Sequence, residues 1–231
     1  MKLGNITESR QNASRRRYDD ACGTAHGLDL IGERWALLVM RELMLGPKRF
    51  SDIRADLPGL SANVLTQRLE GLEAAGLLVR RKLPPPASTQ VYELTPWGYE
   101  AEPIIQTLGR WAARSPAHDP TLPISATSIM LSFRTMYNAD RARRLGATIG
   151  FRFANDSFVA NAEENELKVE RGDPAGADAV FIGDPSALAG AVYGKQPLAD
   201  LAAADVLRVE GDSSAAERFI SIFELPPKVT I

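Results

Sequence analysis

The stretch Pro58–Lys82, "PGLSANVLTQRLEGLEAAGLLVRRK", decides how the rest of the chain is read. At 100° per residue, Val64, Leu65, Leu69 and Leu72 fall on one side of a helix, and Asn63, Thr66, Gln67 and Glu70 fall on the other. A solvated helix face usually carries Glu and Lys; this one carries amides and a hydroxyl. Asn and Gln make paired hydrogen bonds with adenine, Arg pairs with guanine, and a Thr methyl packs on the methyl of thymine. Ser61 stands where an N-cap is needed, and Gly76 where the helix must stop. Arg80, Arg81 and Lys82 then alternate on a strand, Arg80 and Lys82 on one face and Arg81 on the other, as sequence-blind clamps for phosphates or as charges that protect a sheet edge.

The DNA-contacting set predicted from this stretch is Ser61, Asn63, Thr66, Gln67, Arg68, Arg80, Arg81 and Lys82. Two helical residues fit less simply. Glu70 is repelled by phosphates unless it accepts from a cytosine amine. Arg68 lies at the edge of the apolar face, placed either to meet DNA or to pair with a helix carboxylate.

Upstream, "AHGLDLIG" reads as a short helix, "WALLVMRELMLG" as an apolar core helix closed by Gly46 and Pro47, and "RFSDIRADL" as a third helix stopped by Pro58 and Gly59. Helix, short turn and helix is the arrangement that seats one helix in a major groove. Downstream, "LLVRRK" and "QVYELT" read as a hairpin around "LPPPAST", a loop stiffened by three prolines. Thr95 caps, and Pro96 opens, a helix predicted to run unbroken to about Arg114, with Ile104, Ile105, Leu108 and Trp111 on a common face. The sum is a winged helix-turn-helix.

Residues 1–17 lack apolar periodicity and end in three arginines, which predicts a flexible N-terminal arm. "SPAHDPTLP", Ser115–Pro123, reads as a linker. Beyond it we expect strands near Ser128–Tyr137, Ala147–Ala154, Ser157–Asn161, Glu166–Arg171, Ala179–Ile182 and Val206–Val209, and helices at Ser186–Tyr193, Pro197–Ala203 and Ser213–Phe223. The predicted organisation is an arm (1–17), a DNA-binding and dimerisation domain (18–115), a linker (116–124) and an α+β domain (125–231).

The 231 residues carry a net charge of −2, unevenly placed. Residues 1–115 hold 16 Lys and Arg against 13 Asp and Glu, whereas residues 116–231 hold 11 against 16. The first half permits DNA binding; only the placement of its cations suggests it. No apolar run approaches the roughly 20 residues that cross a bilayer, and the polar N-terminus lacks the core of a secretory signal, so a soluble, cytoplasmic protein with no membrane partner is expected. One cysteine, Cys22, excludes an internal disulfide, and His26 and His118 leave few ligands for a metal, so no metal and no cofactor are predicted. Cys22 with His26 lacks an orienting acid or oxyanion site, Glu163, Glu164 and Glu166 read as a solvated loop, and no glycine-rich phosphate loop occurs. An enzyme is not expected, and no catalytic residue is assigned.

Cys22, Gly32–Trp35, "GPKRFSDI", "LSANVLTQRLEGLEAAGLL", "YELT" and Trp111, in this order and spacing across residues 18–115, closely resemble the HxlR-type winged-helix transcriptional regulators of bacteria. The resemblance implies a homodimer built from the first and last helices of the domain, with paired recognition helices reading an inverted repeat in double-stranded DNA. It also places Cys22 where such regulators can carry a redox or electrophile sensor; Asp19 and Asp20 oppose a thiolate there, and the alternative is a half-buried structural thiol. The wing departs from the family pattern, since "PPPAST" lacks the cation that many members place there.

The segment "DPSALAGAVYGKQPLADLAAADVLRVEGDSSAAERFISIF" resembles the end of the sterol-carrier (SCP-2-like) fold. That resemblance implies an apolar small-molecule effector, with Leu188, Val192, Leu198, Leu201, Phe219 and Phe223 either lining a lipid-like pocket or packing the domain's own core. The expected function is a dimeric, sequence-specific transcriptional regulator acting on a pseudo-palindromic operator. The competing reading is a lipid-binding carrier that uses its winged helix only to dimerise.

Overall fold

A computed structural model describes residues 17–84, 88–143 and 145–230. The predicted arm lies outside them apart from Arg17, as does the wing tip, Pro85–Ala87. The first half opens with α1 (Gly23–Ile31), α2 (Ala36–Leu43) and α3 (Phe50–Asp56), followed by α4 (Ala62–Ala74). Leu65, Leu69 and Leu72 of α4 are buried against Val39, Met40 and Leu43 of α2 and Ile53 of α3. The α3–α4 turn is pinned by buried Leu57 and Leu60, and Gly59 supplies its left-handed residue, φ +86°.

β1 (Leu78–Lys82) and β2 (Gln90–Leu94) pair antiparallel from Leu78 opposite Leu94 to Lys82 opposite Gln90. Lys48 joins the hairpin through an isolated bridge, its amide donating to the Tyr92 carbonyl (3.1 Å) and its carbonyl accepting from the Tyr92 amide (2.8 Å). The long helix expected after Thr95 is broken in two, α5 (Pro96–Tyr99) and α6 (Glu102–Ala112). Pro103 has no N–H to donate to the Tyr99 carbonyl, so the ladder is interrupted there.

The second half begins with α7 (Ala126–Met136), where a strand was expected at Ser128–Tyr137. Ser125 caps it, its hydroxyl accepting from the Ser128 amide at 3.1 Å. The misreading has a physical cause. Ala126, Thr127, Ile129, Met130, Leu131, Phe133 and Met136 are all buried, because α7 is packed between the two halves, and its narrow polar stripe is made chiefly of small hydroxyls, Ser128, Ser132 and Thr135, that mark a helix period only weakly. The short α8 (Ala139–Ala142) follows, also unforeseen.

Next come β3 (Ile149–Arg152), β4 (Ser157–Ala162), β5 (Leu167–Arg171) and β6 (Ala179–Gly183), then α9 (Pro185–Tyr193), α10 (Leu198–Ala203), β7 (Leu207–Gly211) and α11 (Ser213–Ser221), close to the expected positions. Among the described residues the strands form a sheet in the order β5-β4-β3-β6-β7, with only β3 and β6 parallel. α7, α9 and α11 pack against this sheet around a cluster of aromatic rings.

Ser115–Pro123 is not a free spacer. The tail straps it down, with the Val229 amide donating to the Arg114 carbonyl (2.8 Å) and Lys228 Nζ to the carbonyls of Ser115 (2.9 Å) and His118 (3.1 Å). The halves share one apolar core, in which α7 lies beside α6 and α2. A charged network crosses the same boundary. Buried Glu42 of α2 accepts from Arg41, from Lys48 (3.0 Å) and from the Ser125 hydroxyl (2.8 Å). Lys48 also reaches Asp56 (2.5 Å) and Asp156 (3.8 Å), and Asp156 pairs with Arg171, whose Nε donates to the Leu45 carbonyl.

Candidate nucleic-acid interface

The Ser61 hydroxyl accepts from the Val64 amide at 3.3 Å and so starts α4 where the sequence places it. With Leu65, Leu69 and Leu72 turned inward, Asn63, Thr66, Gln67 and Glu70 are exposed on the opposite side. The Thr66 hydroxyl is occupied by the Ala62 carbonyl (3.0 Å), which leaves its methyl as the group free to meet a base. Asn63 and Gln67, one turn apart, present their amides on the same exposed face.

Arg68 forms an ion pair, but with a carboxylate of the α1–α2 turn and not of a helix. Its guanidinium pairs with Glu33 at 3.1 Å, and its Nε donates to the Arg34 carbonyl at 2.9 Å. These contacts hold the α1–α2 turn, where Trp35 adopts a left-handed φ of +80° that a bulky side chain resists. The Arg34 guanidinium covers the Trp35 ring, 5.4 Å from its centroid.

The strand cations separate in character. Arg80 pairs with Glu73 at 2.7 Å, which raises its pKa further, and lies 5.9 Å from the Tyr92 ring centroid. Arg81 pairs with Glu93 across the hairpin. Lys82 is exposed and forms no ion pair among the described residues. A phosphate must compete with a carboxylate for Arg80 and Arg81, but not for Lys82.

Cys22 is exposed at the N-cap position of α1. The Thr24 backbone N–H and hydroxyl and the Ala25 N–H, at the start of α1, lower its thiol pKa, although none of them completes a cap hydrogen bond to the sulfur. Asp20, expected to oppose a thiolate, has its carboxylate on the Cys22 amide at 2.9 Å.

The six residues of the expected ligand wall lie inside the second half's own packing. Leu188, Val192, Leu201, Phe219 and Phe223 are buried and Leu198 is half-buried. Phe133 of α7 packs against two of them, its ring centroid 4.6 Å from that of Phe223 and 5.3 Å from that of Phe219. Among the described residues, no helix is long and apolar enough to cross a membrane, and no group of three or more His, Cys, Asp or Glu is placed to hold a metal ion.

Sequence reasoning passed over Glu42 and Lys48. The available signal was a charge inside the apolar run "ALLVMREL", on the side that must face the core.

A helix-turn-helix with an exposed amide face on its second helix, followed by a hairpin bearing cations, is a winged helix-turn-helix module. Residues 30–119 match the HxlR-like helix-turn-helix family, and residues 131–224 match the SCP-2 sterol transfer family. The HTH-type transcriptional regulator YvaP of Bacillus subtilis is 38% identical over 85 residues, which span 37% of this chain and 79% of that protein. The HTH-type transcriptional regulator YodB of the same organism is 36% identical over 83 residues, 36% of this chain and 74% of that one. The structure of reduced YodB superposes with a TM-score of 0.39 at 31% identity, covering 43% of this chain and 100% of YodB. The chain belongs to the HxlR-like helix-turn-helix family, with a second, α+β unit of SCP-2 type fused to its C-terminal side.

Proposed function

We propose that the protein is a transcriptional regulator that binds a pseudo-palindromic operator as a homodimer, with α4 in the major groove and β1 beside the phosphates. The observation that carries this reading is the exposed Asn63, Thr66 and Gln67 face on a helix whose other side is locked into the core. In this reading residues 18–115 bind DNA and dimerise, 116–124 connect, and 125–231 receive the effector. Asn63 and Gln67 read bases, Thr66 contributes its methyl, Ser61 fixes the helix start, and Lys82, with Arg80 and Arg81 once they leave their carboxylates, neutralises phosphates.

Dimerisation is supported by an exposed apolar surface. Ile104, Leu108 and Trp111 of α6 are 52%, 45% and 70% exposed, and Leu28 of α1 is 47% exposed. Apolar groups this open on two helices suit contact with a second copy. Two subunits also double the phosphate contacts, which offsets the modest positive charge of one DNA-binding half.

A gel-shift titration of the full chain at several salt concentrations tests the reading. A steep salt dependence with sequence preference is expected; a flat response on every DNA offered sinks it. Gln67→Ala should lose about 1–3 kcal/mol at one base position and nothing on random DNA, while Lys82→Ala should weaken all sequences alike and reduce the salt slope. Equal losses on specific and random DNA would remove Gln67 from the base-reading set.

Cys22 completes the proposal as a redox or electrophile sensor. Its thiol should react with iodoacetamide at neutral pH faster than the thiol of a Cys-containing unstructured peptide, since its pKa is lowered and it is exposed. A rate equal to the peptide's would leave Cys22 an ordinary surface thiol.

A further inference from the structure

A cleft of about 460 Å³ opens between the two halves, within the range of about 300–1,000 Å³ typical of small-molecule sites. Its walls come from α2, α6 and α7, and they are divided chemically. Leu37, Ile105, Leu131, Met136 and Leu225 supply an apolar interior. Ser128, Ser132 and Thr135, spaced along one face of α7, supply a hydroxyl stripe. Arg41 and His118 stand in the lining as well.

Besides Arg41, two cations border the cleft. Lys228 Nζ lies 3.4 Å from His118 Nδ1, and Arg110 Nη1 donates to the Thr135 carbonyl at 3.0 Å. No carboxylate stands in the lining, and Glu42, the chain neighbour of Arg41, is already engaged by Arg41, Lys48 and Ser125. The rim is therefore complementary to an anion. The Ser132 hydroxyl is 2.7 Å from the phenol oxygen of Tyr193. Burial raises the Tyr193 pKa, so the phenol keeps its proton and can donate to Ser132, whose own proton is then free to turn into the cleft.

Gly109, exposed on α6, leaves its part of the cleft wall without a side chain. It lies inside α6, where glycine weakens a helix relative to alanine. Neither a left-handed backbone nor close packing explains it, because φ is not positive and, apart from its own helix backbone and chain neighbours, no heavy atom among the described residues lies within 4 Å of where a Cβ would stand. It faces the cleft with Ile105 and Ala112, one turn to either side.

We propose that this cleft is the effector site and that its ligand is a small organic acid with an apolar body, the carboxylate held at the cationic rim and the body between α6 and α7. The inference rests on the regulator reading only for its consequence. Ile105, Leu108 and Gly109 belong to the helix whose outer side carries Ile104 and Trp111, so an occupant of the cleft bears on the dimer surface from behind. Such coupling requires unequal ligand affinity in the two dimer arrangements.

Calorimetric titration of the full chain with octanoate, 1-octanol and acetate tests the site. One octanoate per chain is expected, bound at least tenfold more tightly than 1-octanol, with no acetate binding. Gly109→Leu should fill the cleft and weaken octanoate at least tenfold while thermal unfolding stays at or above the wild-type temperature. Undetectable octanoate binding, equal affinity for 1-octanol, or unchanged affinity in Gly109→Leu would overturn the proposal. So would a Gly109→Leu change in oligomeric state by native mass spectrometry without a change in octanoate binding, because the space would then belong to a second copy. A parallel gel shift separates the two readings. Octanoate capture without any DNA binding sinks the regulator and keeps the site, and DNA binding without octanoate capture sinks the site alone.

Discussion

Replacing Lys48 with Met should destabilise the protein by about 3–5 kcal/mol, the usual cost of removing one partner from a buried ionic cluster. Lys48 is 4% exposed, and Glu42, Asp56 and Asp156 converge on its ammonium from α2, α3 and the β3–β4 turn. Arg41 and Arg171 continue to serve Glu42 and Asp156, so the loss falls most heavily on Asp56, for which no other cation is found among the described residues. Urea denaturation at neutral pH is the measurement, and a loss below about 1 kcal/mol would mean that water already screens the cluster.

The pH dependence follows from two shifts. Burial lowers the Lys48 pKa, but Glu42, Asp56 and Asp156 outweigh it and hold the ammonium above the ordinary value of 10.5. Its stabilising contribution is thus complete below 10.5 and lost as pH rises through the elevated folded value. Burial raises the Asp56 pKa, against the lowering effect of Lys48. A carboxyl so shifted favours the folded state below its unfolded pKa and loses that advantage as pH rises through the folded value. In Lys48→Met the shift grows, so the variant's deficit should narrow on acidification, and the wild type's alkaline loss should be absent from it.

Phe133→Ala should cost about 3–5 kcal/mol, the range for truncating a large buried aromatic. The side chain is fully buried and stacks on Phe223, meets Phe219 edge-on, and lies 6.0 Å from Phe151, so little can collapse into the space it leaves. The same variant separates two views of Leu188, Val192, Leu198, Leu201, Phe219 and Phe223. Residues packing their own core give the full cost in ligand-free protein. Residues around an adaptable tunnel give a small cost, below about 1 kcal/mol, as rings re-pack into room that already exists.

The helix-turn-helix and hairpin were legible because each element has one buried and one exposed side, so its period is written in the residues. Ser61, Gly76 and Thr95 marked boundaries through chemistry that acts within a few positions. α7 failed that test by being buried on most sides, and its β-branched and aromatic residues then imitated a strand. Pro103 was visible, but its effect depends on the Tyr99 carbonyl that it leaves without a partner. Of the ionic cluster only the charge of Glu42 inside an apolar helix left a trace, because its meeting with Lys48 and Asp56 needs the tertiary fold of the first half and Asp156 joins only when the halves dock. Of the candidate interface, the exposure of Asn63, Thr66 and Gln67 was readable from helix geometry, whereas the carboxylates that hold Arg80 and Arg81 and the backbone carbonyl that holds Arg68 needed three dimensions.

Arg68 carries a practical lesson for redesign. Because it ties α4 to the Glu33–Arg34 turn and supports the left-handed Trp35, this recognition helix is not an interchangeable cassette. Transplanting it into another scaffold would strip Arg68 of its counterpart, and importing a foreign helix here would leave the Trp35 turn without its brace. Under the proposed DNA-binding reading, retargeting is therefore confined to the exposed Asn63, Thr66, Gln67 and Glu70, a four-position alphabet on an otherwise fixed frame.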